Sequence, residues 1–165
     1  MDLKIIISSP SGAGKTTITR NLLKKVKNSK LSVSCTTRKP RPGEKHGTDY
    51  FFVSKNKFLE LKKKNKFLES AKVFNNYYGT LKSEVISKKK NKIIFLDIDW
   101  QGARIIRKKI KKNCHSFYLL PPNFKELKKR LFKRHQENIK IAEERILNAK
   151  NDMKYWSEYD EVFVN

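Results

Sequence analysis

Residues 3–7 form an apolar run rich in β-branched side chains, closed by Ser8-Ser9-Pro10-Ser11-Gly12. A short apolar run bounded by turn formers predicts a buried strand. From residue 14 to about 27 the period changes. Ile18, Leu22, Leu23 and Val26 fall on one side of a helix. The same alternation returns in the second half of the chain. Residues 93–98 and 114–120 predict two more buried strands. A helix is expected from about 101 to 111 after the first of these. After the second, behind Pro121-Pro122 and with Asn123 as its cap, a basic helix is expected to about 134. A longer helix is predicted from 141 to about 155, and a last short strand over 161–165. Strands alternating with helices give an α/β chain with a parallel sheet covered by helices on both faces.

The middle, roughly 34–82, follows another pattern. Residues 31–37 predict a strand, but Arg38-Lys39-Pro40-Arg41-Pro42-Gly43 excludes helix. Residues 50–53 read as a short aromatic strand. Ser54 reads as the N-cap of a helix carrying Phe58, Leu59 and Leu61. Further strands are expected at 67–74 and 77–78, then helix over 81–90. Short strands rich in aromatic residues and arginine imply an inserted β-rich lobe. No internal repeat occurs, and the lysine clusters at 62–64 and 88–90 are too short for linkers.

A length of 165 residues suits one compact domain that buries its core without disulfides. Cys35 and Cys114 lie far apart with no metal-ligand spacing, which predicts free thiols in a reducing compartment. No apolar run approaches the roughly 20 residues of a membrane span, and the apolar stretch of MDLKIIISS is too short for a signal peptide. The expectation is a cytoplasmic protein with no membrane partner. The formal charge of +23 raises nucleic-acid binding. However, the lysines are spread along the chain, accompany abundant Asn and Ile as an A+T-rich coding sequence would favour, and form no nucleic-acid motif. They predict a solvated surface that attracts anionic substrates, with no specific nucleic-acid partner.

The strand–helix junction reads SSPSGAGKTT, Ser8 to Thr17. Its end matches the phosphate-binding loop G-x-x-x-x-G-K-[ST], but Ser9 stands at the first glycine. Backbone N–H groups of such a loop wrap phosphate oxygens, and Gly12 and Gly14 allow the close approach. Lys15 carries a point charge toward β- and γ-phosphates. Thr16 offers its hydroxyl to Mg²⁺, and the helix N-terminus adds partial positive charge. Because every chemical partner of the loop survives, Ser9 reads as a functional variant, provided its φ is negative.

The middle lobe supplies a second anion site. Arg38 and Arg41 lie three apart on a Pro-stiffened loop, and guanidinium forks suit phosphate. Tyr50 and Tyr78 offer hydroxyl donors to the same group. Glu69 lies in the apolar stretch FLESAKVF, where a carboxylate needs donor partners. Guanine presents two parallel donors, N1–H and the N2 amino group; adenine lacks both. Ser34 and Thr80 carry hydroxyls suited to guanine O6. Asp97 and Asp99 end an apolar strand and suit the hydration shell of Mg²⁺. The sequence does not apportion them between metal and base.

The segments SSPSGAGKTT, SVSCTTRKPRPGEKHGTDYFFV, FLESAKVFNNYYGT and IIFLDIDWQGA resemble, in order, the signature segments of the guanylate kinases. The likeness runs from Leu3 to Asn165. It implies a P-loop nucleoside monophosphate kinase fold in a single domain: a core over 1–33, 83–120 and 151–165, a GMP-binding lobe over 34–82 and a mobile helical lid over 121–150. It implies transfer of the γ-phosphoryl group of ATP to GMP, with dGMP alongside, in purine nucleotide metabolism and GMP recycling, with Mg²⁺ as cofactor. It places the ATP loop on Ser9, Pro10, Ser11, Gly12, Ala13, Gly14, Lys15, Thr16 and Thr17. The GMP phosphate falls to Arg38, Arg41, Tyr50 and Tyr78, and guanine to Ser34, Glu69 and Thr80, with Asp99 added. Lid arginines fall on Arg130, Arg134 and Arg145, and adenine on Asn165. Lys15, Arg38, Arg134 and Arg145 would be catalytic.

Two further departures accompany Ser9. Arg134-His135-Gln136 stands where the family commonly has Arg-Gly, and the sequence stops where relatives usually continue into a C-terminal helix, so a less covered core face is expected. The rival reading is a catalytically silent guanylate-kinase-like interaction module. Such modules typically lose the P-loop that Lys15 and Thr16 keep here. No oligomeric partner is assigned.

Overall fold

A computed structural model describes residues 2–73, 75–86, 92–134 and 138–165. The chain opens with β1 (Leu3–Ser8), α1 (Lys15–Lys25) and β2 (Ser29–Leu31). Its middle holds β3 (Ser34–Thr36), β4 (Phe51–Phe52), α2 (Lys55–Lys63), β5 (Phe67–Val73), β6 (Asn76–Leu81) and α3 (Lys82–Val85). It ends with β7 (Ile93–Asp97), α4 (Trp100–Lys109), β8 (Cys114–Leu120), α5 (Phe124–Arg134), α6 (Ile139–Asp152), a 3-10 helix (Met153–Glu158) and β9 (Glu161–Val164).

The central sheet is parallel throughout, in the order β2-β7-β1-β8-β9. Strand alternation divides its side chains between two faces. Ile6, Ile94 and Leu96 pack with Ala103 and Ile106 of α4. Ile7 and Phe95 pack with Ile18, Leu22 and Leu23 of α1 and with Val26 at its C-cap, the positions whose spacing predicted that helix. Leu127 and Leu131 of α5 pair with Ile146 and Ala149 of α6 in a separate cluster. The predicted caps form: Ser54 accepts from Lys57 N at 3.2 Å and Asn123 from Glu126 N at 2.8 Å. This is the P-loop kinase fold.

The middle of the chain builds a second, mixed sheet ordered β4-β3-β6-β5. Its own core centres on Cys35, Phe58 and Phe67, with the rings of Phe58 and Phe67 stacked 4.5 Å apart.

Several predicted boundaries move. The strand expected over 31–37 is two strands in two sheets. Leu31 pairs with Phe95 in the parallel sheet, whereas Ser34 pairs with Thr80 in the mixed one. Between them Ser32 N donates to Phe95 O and Val33 N to Glu84 Oε2. Apolar period signals a strand but not the sheet it joins. The short strand at 77–78 extends to Asn76–Leu81, because it is central in the mixed sheet and pairs on both sides. The long C-terminal helix begins at Ile139, where Asn138 accepts from Ile141 N, and tightens to 3-10 geometry after Asp152. Helix 81–90 is described as α3 followed by Ile86; residues 87–91, like Phe74 and His135, lie outside the described residues.

Candidate active site

The C-terminal ends of β1 and β7 lie side by side, with Ile7 opposite Asp97. Ser8 Oγ donates to Ile98 O at 2.9 Å and ties the two ends. The Ser9–Thr16 loop and the Asp97–Asp99 segment therefore leave the sheet together, at the strand ends where open α/β folds bind ligands. Gly12 and Gly14 adopt φ of 89° and 90°. A Cβ on Gly12 would lie 3.0 Å from Leu131 Cγ, and one on Gly14 2.5 Å from Asn165 Nδ2. Both glycines are thus required by backbone conformation and by neighbours. Positive φ among described non-glycine residues occurs at Asn28, Asn65 and Asn113. Ser9 has no such strain, and its hydroxyl donates to Pro10 O at 3.0 Å.

Lys15 opens α1. Its ammonium forms an ion pair with Asp97 and donates to Ile98 O at 3.2 Å. Thr16 and Thr17 are exposed on the first turn, beside buried Ala13 and Pro10. Asn165, though exposed, is tied to the loop: its Nδ2 donates to Ala13 O at 2.7 Å and its backbone N–H to Leu120 O at 2.9 Å. Arg130 pairs with Glu126 and reaches Asn165 O at 3.5 Å. Arg134 ends α5, with its side chain outside the described residues.

Opposite the loop, Arg38 donates to Glu44 Oε1 at 2.9 Å, and Arg41 N to Glu44 Oε2 at 2.7 Å. Burial works against charge on Glu44, but these bonds hold its carboxyl below the usual range. The Arg38 guanidinium lies 5.5 Å from the Tyr50 ring centroid, and Tyr50 meets Tyr78 edge-on at 6.1 Å. Burial, with Asp97 next, pushes the Tyr50 phenol far above its ordinary range, so it stays a donor. Arg145, on α6, reaches Ser11 Oγ at 3.5 Å. Burial and then the charges of Arg41 and Arg38 push its guanidinium down, which puts the three arginines in one electrostatic neighbourhood.

Glu69 is buried on β5. Its Oε1 accepts from Thr80 N at 2.9 Å and Thr80 Oγ1 at 2.6 Å. Burial, with Asp99 adding to it, pushes the carboxyl up to about 7. Asp99 caps α4 by accepting from Gly102 N at 2.8 Å. Its buried Oδ2 has no hydrogen-bond partner among the described residues. One cleft, with a cavity volume of about 110 Å³, is lined by Lys15, Ser34, Tyr50, Glu69, Tyr78, Asp97 and Asp99, together with Ala71, Val73, Gly79 and Ile98.

Two contributors escaped the sequence reading. Glu44 links Arg38 and Arg41; its signal was an acidic residue closing the Pro-Gly turn after Arg41. Gly102 has no side chain because a Cβ there would lie 2.9 Å from Glu69 Oε2. Nothing in the local sequence reveals that contact between distant segments.

Among the described residues no three His, Cys, Asp or Glu side chains form a metal cage. No helix there is long and apolar enough to cross a membrane.

The family model described as guanylate kinase matches residues 2–165. The guanylate kinase of Buchnera aphidicola subsp. Schizaphis graminum is 47% identical over 163 residues, 97% of this chain and 78% of that protein. That of Rickettsia felis is 46% identical over 165 residues, 99% of this chain and 85% of that protein. The crystal structure of guanylate kinase from Anaplasma phagocytophilum superposes with a TM-score of 0.80 at 32% identity, covering 99% of this chain and 77% of the other. With Lys15 of the P-loop and the buried Glu69 carboxylate already lining one cleft, a match of this extent leaves one conclusion: the chain belongs to the guanylate kinase family.

Proposed function

We propose that the chain transfers the γ-phosphoryl group of ATP to GMP, giving ADP and GDP, and that dGMP is accepted by the same lobe. The observation that carries this reading is the single cleft with Lys15 on one wall and Glu69 on the other. Phosphoryl transfer requires little covalent chemistry of the protein; positioning and neutralisation of charge do the work. Gly12, Gly14 and the start of α1 present N–H groups to the triphosphate, and Lys15 turns from Asp97 to its β- and γ-oxygens. Arg38 and Arg41, with Tyr50 and Tyr78, hold the GMP phosphate. Arg145 lies between the two anion sites and offsets charge as the phosphoryl group moves; Arg134 and Arg130 are the further lid cations of the proposal. Glu69, aligned by Thr80, accepts from guanine N1–H and N2, with Ser34 beside them. Asn165, against Ala13, borders the adenine side.

Thr16 and the carboxylates of Asp97 and Asp99 fit Mg²⁺ carried in by ATP. Asp99 Oδ2 is a buried oxygen in need of a partner, and Mg²⁺ usually keeps phosphate and water ligands around few protein oxygens. When bound, the ion would neutralise β- and γ-phosphate charge. The free thiols Cys35 and Cys114 suit the cytoplasm, where both nucleotides occur. A coupled assay of ADP formation with GMP, AMP, UMP and CMP tests the reading. Turnover with GMP alone is expected. Equal turnover with AMP refutes the guanine assignment, and none with any acceptor leaves the silent interaction module.

A further inference from the structure

Arg41, Pro42, Gly43 and Glu44 form a reverse turn, with Glu44 N donating to Arg41 O at 3.0 Å and Gly43 at φ 80°. Proline second and a left-handed residue third are what a type II turn needs. The turn folds the Glu44 side chain back on the two arginines. Oε2 accepts the Arg41 backbone N–H at 2.7 Å. Oε1 accepts Arg38 Nη2 at 2.9 Å and lies 3.9 Å from Arg41 Nη1. Arg38 Nη1 donates to Lys39 O at 2.6 Å, and its guanidinium lies over the Tyr50 and Phe52 rings. Side-chain exposure is 11% for Arg38 and 16% for Glu44, so solvent screens the pair little.

We infer that Glu44 is a positioning residue for the acceptor phosphate: it fixes the Arg38 and Arg41 guanidinium groups in one array without touching the substrate. The inference rests on the reading that these arginines grip the phosphate of GMP. An arginine has a long rotatable stem, and ordering it at the moment of binding costs affinity. Glu44 orders Arg38 beforehand, at a point where the charges of Arg41 and Arg145 would otherwise drive the forks apart.

Charge and position predict opposite signs. Glu44 is an anion beside an anion site. If charge were its whole contribution, removing it would tighten GMP binding. If it positions the forks, removing it weakens GMP binding in spite of the gain in positive potential. Glutamine keeps the shape, but one of its two terminal atoms becomes a donor, so it faces either Arg41 N–H or Arg38 Nη2 with the wrong polarity.

The test compares dissociation constants of GMP and guanosine by calorimetry, and KM for GMP and ATP, in the unsubstituted protein, E44Q and E44D. Guanosine carries the base and no phosphate. E44Q is expected to weaken GMP by about 10- to 100-fold, the scale of a charged hydrogen bond. Guanosine affinity and KM for ATP should stay within twofold. E44D keeps the charge and should recover part of the GMP affinity. Unchanged or tighter GMP binding in E44Q overturns the inference, and so does a parallel loss of guanosine affinity, which would mean general damage to the lobe. If circular dichroism shows E44Q unfolded, E44D carries the same comparison: selective loss for GMP over guanosine supports positioning, and equal or no loss overturns it. Should the unsubstituted protein bind guanosine as tightly as GMP, the phosphate role of the arginines fails first, and the inference falls with it.

Discussion

Replacing Glu69 by glutamine should move activity and stability in opposite directions. Glu69 Oε1 receives two donors, Thr80 N at 2.9 Å and Thr80 Oγ1 at 2.6 Å. In the glutamine variant those donors select the amide carbonyl, which leaves the NH₂ group where Oε2 stood. Guanine N1–H and N2 would then meet a donor instead of an acceptor. Loss of a charged hydrogen bond, with buried donors left facing each other, costs about 2–4 kcal/mol, or roughly 30- to 1,000-fold in kcat/KM for GMP. KM for ATP should not move. Stability responds the other way. Burial raises the Glu69 carboxyl from 4.5 to about 7, so the folded protein keeps a proton that the unfolded chain releases. Stability is therefore lost as pH rises from about 4.5 through 7, and the interval corresponds to at most about 3 kcal/mol. Glutamine has no proton to lose. The variant should match the parent near pH 4.5 and exceed it by up to that amount at pH 8, a gain of several degrees in Tm. Steady-state kinetics and denaturant unfolding across that pH range check both halves. An unchanged kcat/KM for GMP would remove Glu69 from base recognition, and parallel stability curves would remove the buried charge.

Lys15→Ala should lower kcat by at least about 10²–10³-fold with circular dichroism unchanged, because the lost charge acts on the transferring group; near-normal turnover in a folded variant would rule out the loop as the ATP site. Gly102→Ala puts a methyl group 2.9 Å from Glu69 Oε2 and 3.0 Å from its Cδ. KM for GMP should rise about tenfold with KM for ATP unmoved, even though alanine favours the helix by roughly 1 kcal/mol over glycine; equal effects on both substrates would point to damage in the core. If the +23 charge attracts substrates, kcat/KM should fall modestly with ionic strength, and duplex DNA binding should vanish near physiological salt. Tight, sequence-selective DNA binding at that salt would contradict the account.

What could be read from the sequence depended on how local its cause was. The strand–loop–helix of the P-loop was fully legible, since the apolar run, the glycines and the amphipathic spacing lie within residues 3–26. The β7 and β8 strands were legible for the same reason. The division of 31–37 between two sheets was not, because it depends on Phe95 and Thr80, far along the chain. Among the candidate site residues, Arg38, Arg41 and Glu69 stand out as chemistry in unusual settings: guanidinium groups on a stiff loop, and a carboxylate in an apolar strand. Glu44 and Gly102 did not, because an acidic turn residue and a helical glycine are ordinary until their partners are known. Asn165, expected beside adenine, also braces the loop through its amide on the Ala13 carbonyl, a contact between chain ends that local sequence does not reveal.

The cations proposed to hold phosphate show why those braces are needed. Lys15, Arg38, Arg41 and Arg145 must all reach phosphate oxygens on the proposed reading, and at close quarters four such charges repel one another. The effect is visible on Arg145, whose guanidinium is pushed down by burial and by Arg41 and Arg38. The fold offsets it with carboxylates: Asp97 on Lys15, and Glu44 on both lobe arginines. These two have different fates when substrates arrive. Glu44 bonds to the Arg41 backbone and to one edge of Arg38, so it can stay while other donors turn to phosphate. Asp97 bonds to the Lys15 ammonium itself, so on the proposed reading it shares or yields that contact when Lys15 meets the polyphosphate. A carboxylate left facing phosphates is repulsive unless a cation comes with them. On the proposed reading, a divalent cation arriving with ATP would offset the repulsion between Asp97 and the phosphates.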